Sequence, residues 1–185
     1  GTEKIGKREA LNFGIGKSKH PYILITDADC RPETNWLKAY SNNFNLGHEM
    51  LFGIAPFYQH ENLVNKIYCF ENLRGTLLSF SMSSYGLPYT AAARNFGFTK
   101  NAFESLSGYS RTKDTISGDD DLLLREAVKN KMKIGLVTEA GSFVYSETKN
   151  SFNEYFQQKA RHTQTSFHYL KKHQVILGLW HLLNL

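Results

Sequence analysis

The run Tyr22-Ile23-Leu24-Ile25-Thr26, followed at once by Asp27-Ala28-Asp29-Cys30-Arg31-Pro32, constrains the fold more than any other stretch of this chain. A short, nearly continuous apolar run is the mark of a strand buried on both faces, as in a mainly parallel sheet. Pro32 cannot donate to a sheet ladder, so a central strand must end before it. The two carboxylates therefore lie where a buried strand leaves the sheet, the edge at which open α/β folds bind ligands. Alternate strand residues share a face about 6–7 Å apart, so Asp27 and Asp29 can serve one ligand. Their hard oxygens suit Mg²⁺ or Mn²⁺, and Mg²⁺ commonly takes only one or two protein carboxylates besides phosphate oxygens. The same residues would also serve as turn and cap before the next helix.

The remaining chain alternates helical and extended patterns, which predicts an α/β domain with a mostly parallel central sheet flanked by helices. Residues 3–17 carry Ile5, Leu11 and Ile15 at helical spacing. Residues 33–46, 61–82, 101–106 and 119–131 read as further helices, and 50–58, 89–99, 134–138 and 142–145 as strands. Residues 151–172 predict one long amphipathic helix with Phe152, Phe156, Ala160, Phe167 and Leu170 near one face. No repeat or linker interrupts the chain, so residues 1–185 read as a single domain. The apolar stretch 175–185 falls short of the about 20 residues a span needs, and reads as a buried helix end or the start of a membrane segment.

Charge narrows the partners. Lys and Arg number 22 against 17 Asp and Glu, a formal charge of +5 that favours anionic ligands. No zinc pattern, aromatic RNA-binding motif or dense basic run argues for nucleic acid. Cys30 and Cys69 have no metal-ligand spacing and read as free thiols of a reducing compartment.

Two more segments carry chemistry. Ser117-Gly118-Asp119-Asp120-Asp121-Leu122 places three carboxylates at a predicted helix start. Acidic residues stabilise such a start, but only one can cap it, and mutual repulsion raises the pKa of at least one, as a general base requires. In Gln157-Gln158-Lys159-Ala160-Arg161-His162, Gln158 and Arg161 are three apart on one helix face, where an Arg can meet a diphosphate in bidentate fashion. A solvated polar face is the plainer account of the same pattern.

Taken in order, these pieces resemble family 2 glycosyltransferases of the GT-A fold. Gly6-Lys7-Arg8-Glu9-Ala10-Leu11-Asn12-Phe13-Gly14-Ile15 is similar to that family's Gly-Lys-x-x-Ala-Leu-Asn-x-Gly-Ile helix. Tyr22 to Asp29 resembles its strand ending in Asp-X-Asp. Arg94-Asn95, Lys100-Asn101-Ala102-Phe103 and Gly108-Tyr109 resemble its acceptor-side segment. Gly118 to Leu122 is similar to its Glu-Asp-x-Asp-Leu, and Gln158 to His162 to its Gln-x-x-Arg-Trp.

The resemblance implies an inverting, metal-assisted transfer from a nucleotide-sugar, a UDP-sugar in the first instance, to a hydroxyl of a saccharide or lipid-linked acceptor. Asp29 and Asp27 would hold Mg²⁺ or Mn²⁺ and the diphosphate. Asp119 falls on the general base, or Asp120 if the register slips by one, because Gly118 stands where the family has Glu. Gln158, Arg161 and Lys7 would contact diphosphate or substrate. His162 replaces the Trp of processive synthases. The family's opening strands have no counterpart, which implies that about 70–100 residues of the nucleotide-binding half lie outside this fragment. The helix over 151–172 together with the apolar tail suggests a domain on the cytoplasmic face of a membrane, taken as a bacterial inner membrane, continuing into spans outside this fragment. Two rival readings are a haloacid-dehalogenase-like phosphatase, which also pairs Asp-X-Asp with a later Gly-Asp segment, and a non-catalytic membrane- or protein-binding module suggested by the basic, aromatic helix and apolar tail.

Overall fold

The computed structural model describes residues 7–112 and 118–183. Helix α1 (Lys7–Lys17) leads to strand β1 (Tyr22–Ile25), the two-residue β2 (Arg31–Pro32), helix α2 (Trp36–Asn45) and strand β3 (Met50–Gly53). The long α3 (Leu63–Ser84) precedes β4 (Phe96–Thr99), and α4 (Lys100–Ser105) follows it directly. Helix α5 (Asp119–Lys129), β5 (Ile134–Val137), β6 (Val144–Tyr145), α6 (Phe152–Ser166) and α7 (Lys171–Leu183) complete the order.

The α/β class holds. The main sheet has the order β1-β4-β3-β5. Strand β4 is antiparallel to both β1 and β3, whereas β3 and β5 are parallel. Strands β1, β3 and β5 therefore share a direction and β4 alone is reversed. The sheet is mixed in its pairings because the reversed strand sits in its interior.

Both faces are covered. Along β3, Met50 and Phe52 join a core with Phe96, Phe98, Phe103, Leu123 and Leu124, while Leu51 faces Tyr40, Phe44 and Val137. Leu24, Gly97 and Leu51 lie in register across three strands. A Cβ on Gly97 would meet the Tyr40 ring at 2.9 Å, so the missing side chain lets α2 close on that face. Each buried Phe or Leu stabilises such a core by about 1.5–3 kcal/mol.

Several boundaries differ from the sequence reading. The extended segment 50–58 is a strand only to Gly53; beyond it, Phe57 keeps a single bridge to Ser146. Residues 89–95 are not strand but loop and a 3₁₀ turn, because the side chain of Asn95 draws the backbone of Ile54 and Ser142 to itself. Pro32 does appear in an extended pair, at the edge of the β2–β6 ribbon where its missing N–H matters least. The helix expected over 151–172 is broken. Across the break the Tyr169 hydroxyl donates to Asp121 Oδ2 at 2.8 Å, and Arg125 Nη1 donates to the His168 carbonyl at 2.8 Å. Tertiary contacts to α5 thus override helical periodicity. Phe156 and Phe167, expected near one face of that helix, are 64% and 76% exposed.

Candidate functional site

Because β1, β3 and β5 run the same way, the segments after β1 and β3 and the segment before β4 meet at one sheet edge. A cleft of about 820 Å³ opens there. Its floor includes Asp27, Ala55, Phe57, Ala91 and Arg94; Asp120 and Asp121 enter from the start of α5, and Gln158 from α6.

Asp27 and Asp29 sit on a turn, not on the strand proper. Strand β1 ends at Ile25, and the Cys30 N–H donates to the Asp27 carbonyl at 3.1 Å. Asp27 is half-buried against the cleft, while Asp29 is exposed and accepts a weak bond from the Cys30 thiol at 3.6 Å. Burial pushes that thiol's pKa up, which keeps it a donor and a poor soft-metal ligand. Among the described residues no three His, Cys, Asp or Glu side chains cluster closely enough to hold a metal. Two hard carboxylates suit an ion that draws its other ligands from phosphate and water, as Mg²⁺ or Mn²⁺ does.

Arg94, which the sequence reading placed only within the acceptor-side segment, lines the cleft as well. Its guanidinium lies 4.3 Å from the centre of the Phe57 ring and donates to the Ala55 carbonyl. Burial lowers its pKa, while Cys30, Asp27 and Asp29 oppose that shift, so the cation faces the aspartate turn. Its Nε is buried without a hydrogen-bond partner. The available signal was a lone charge inside Ala91-Ala92-Ala93-Arg94-Asn95-Phe96.

The acidic segment separates into distinct environments. Gly118 caps α5 at φ 86°, a left-handed conformation that glycine adopts without a Cβ penalty. Asp119 pairs with Arg8 of α1. Asp121 is buried, accepting from the Thr90 hydroxyl at 2.7 Å, the Ala91 N–H at 3.1 Å and the Tyr169 hydroxyl at 2.8 Å. Asp120 lines the cleft, and burial together with the charges of Asp121 and Asp119 raises its pKa to about 8. Gln158 reaches the cleft too, its Oε1 accepting from the Tyr68 hydroxyl at 3.0 Å. The side chains of Lys7 and Arg161 lie outside the described residues, although their backbones belong to α1 and α6.

The structure thus gathers Asp27, Asp120 and Gln158 around one cleft and adds Arg94 to them, while Asp119 is engaged by α1. The cleft is open to solvent and lined by carboxylates, an amide and a buried cation. The chain matches the model of glycosyl transferase family group 2 over residues 22–185, and it belongs to that family. No curated protein matches it. Glycosyl transfer is therefore its class of reaction, and the phosphatase reading gives way.

Proposed function

We propose that the chain transfers a sugar, with inversion, from a nucleotide-sugar, a UDP-sugar first among candidates, to a hydroxyl acceptor. The meeting of Asp27, Arg94 and Asp120 in one cleft is the observation that supports this reading. Asp120 removes the proton of the acceptor hydroxyl. The freed oxygen attacks the anomeric carbon from the face opposite the diphosphate, and the bond to the diphosphate oxygen breaks with its electron pair leaving on phosphate. A single displacement inverts the centre. Asp120 is preferred to Asp119 because Asp119 is held by Arg8 whereas Asp120 opens on the cleft. Arg94 opposes the charge that develops on the diphosphate, in the manner of preorganised electrostatic stabilisation. Asp27 and Asp29 would hold a divalent ion, which when bound would supply Lewis-acid stabilisation of the same leaving group. Gln158, with Lys7 and Arg161, would hold the diphosphate or the acceptor.

Calorimetric titration with a panel of UDP- and GDP-sugars tests this. Binding is expected with Mn²⁺ and is expected to weaken at least tenfold in EDTA or in Asp27→Asn, a loss of about 1.4 kcal/mol. Equal affinity with and without the ion would overturn the metal assignment. Absence of binding to any nucleotide-sugar would overturn the function.

The location proposed is the cytoplasmic face of the inner membrane, reached by surface attachment. No described helix is long and apolar enough to cross a membrane. On α7, however, Val175, Leu179 and Leu182 repeat at helical spacing and are 62%, 56% and 70% exposed. With a formal charge of +5, such a face suits an anionic lipid surface. Co-sedimentation with vesicles containing phosphatidylglycerol is expected to fall about tenfold in the Leu179→Glu, Leu182→Glu double variant. Unchanged partitioning would refute the attachment.

A further inference from the structure

Beyond Asp120 the cleft continues between α3 and α6, and its walls there are unlike the charged floor. The Tyr68 ring packs edge-on against Tyr155 at 5.0 Å and against Phe57 at 5.7 Å. Tyr68 and Gln158 are joined by their hydrogen bond, and the one charged pair on these walls, Glu71 with Lys159, is mutually neutralised. Asn72 and Thr76 line the α3 wall and make no side-chain hydrogen bond within the described residues, which leaves an amide and a hydroxyl for a ligand.

Between them stands Gly75. Glycine in the interior of a helix is destabilising relative to alanine, so it needs a reason. Packing does not give one: a Cβ at this position would meet nothing within 4 Å. Gly75 lies in the interior of α3, which runs for 22 residues, and it lines the cleft. The missing side chain keeps space open for something other than protein.

The chemistry of the walls says what that is. Aromatic rings offer apolar faces for the C–H side of a pyranose, while amides and hydroxyls pair with its hydroxyl groups. A lipid chain would need continuous apolar walls. A polyanion would need unpaired cations. The whole cleft, charged floor included, holds about 820 Å³, near the upper end of the about 300–1,000 Å³ of ordinary ligand pockets, so the α3–α6 part adds room beside the floor. We propose that the α3–α6 part of the cleft is the acceptor subsite, that it takes a neutral oligosaccharide, and that Gly75 is kept free of a side chain to admit a pyranose ring beside Tyr68 and Tyr155. This rests on the glycosyltransferase reading of the same cleft.

The test uses two ligand sets on the same protein. Cellotetraose, chitotetraose and maltotetraose are followed by saturation-transfer NMR and titration, and UDP with Mn²⁺ by calorimetry. At least one tetrasaccharide is expected to bind with saturation from tyrosine ring protons. Gly75→Leu should weaken it about tenfold or more while leaving UDP affinity within about twofold. Gly75→Ala should raise the melting temperature by a few degrees, because it adds helix propensity without a clash. Unchanged saccharide affinity in Gly75→Leu overturns the proposal, as does binding of none of the three sugars by a protein that binds UDP. Parallel loss of sugar and UDP also overturns it, since the space would then belong to the donor. A protein that binds tetrasaccharide in a Gly75-dependent way but no nucleotide keeps the subsite and loses the donor reading instead.

Discussion

Asp120→Asn is expected to lower turnover by about 10²–10⁴-fold, the usual contribution of a positioned general base, with UDP affinity held within about twofold. The replacement keeps the shape of the side chain and removes only its capacity to take a proton. Asp119→Asn is expected to act chiefly on stability, because the Asp119 carboxylate is spent on Arg8 at the junction of α1 and α5. If the two variants exchanged these behaviours, the base would be Asp119. Acidity provides a second reading of the same group. Burial and its acidic neighbours raise the Asp120 carboxyl to about 8, and a base must be ionised to work, so turnover should climb with pH through that region. Stability should move the opposite way. An ordinary aspartate titrates near about 4. Between about pH 4 and pH 8 the folded chain holds a proton that the unfolded chain has lost, so this group's contribution to stability declines as pH rises. Asp120→Asn should flatten that decline in urea melts taken across the window. A decline of unchanged slope would show that another group carries the titration.

The second large effect is on folding. Asn95 is fully buried, and its side chain and carbonyl gather three segments, helix α2 and the loops at Ile54 and Ser142. Its Oδ1 accepts from Trp36 Nε1 and from the Tyr40 hydroxyl, each at 2.8 Å, and its Nδ2 donates to the Ile54 carbonyl at 2.7 Å. Asn95→Ala leaves several of these groups buried without a partner, each costing about 1–3 kcal/mol, so a loss of about 3–5 kcal/mol is expected. That is a large part of the about 5–15 kcal/mol that stabilises a typical domain. Urea unfolding followed by tryptophan fluorescence would measure it directly. A midpoint within experimental error of the parent would mean that water replaces the network. Gly53→Ala should echo the effect, because a Cβ there would meet Asn95 Nδ2 at 2.5 Å.

How far the sequence could be read follows from where each signal lives. Met50–Gly53 announces itself because a strand buried on two faces must be apolar at nearly every position. Tyr22–Ile25 carries the same pattern at the sheet edge, where only Ile25 is buried. The aspartate turn followed from the end of the Tyr22–Ile25 run together with Pro32. The helix at Asp119 was legible from its acidic start and apolar repeat, but which carboxylate meets the cleft was not. Adjacent residues on a helix differ by about 100° in direction, and tertiary contacts, Arg8 to Asp119 and Thr90, Ala91 and Tyr169 to Asp121, settle how α5 is rotated. The break between α6 and α7 was invisible for a related reason: its contacts, Tyr169 to Asp121 and His168 to Arg125, join residues 48 and 43 apart. Arg94-Asn95 was noticed as a pair, yet the two side chains part company. One faces the aspartate turn and the other disappears into the core, a division that no local pattern encodes.

The tether between Tyr169 and Asp121 has a mechanical consequence. Helix α7 leaves from a point tied to the residue next to Asp120, so it is a lever whose short arm ends beside the chemistry. Under the proposed attachment, whatever seats itself on the outer face of α7 would bear on that lever and, through it, on the start of α5. Under those proposals, surface attachment and proton transfer would be linked through two ties to α5, the Tyr169–Asp121 and Arg125–His168 hydrogen bonds, each of 2.8 Å.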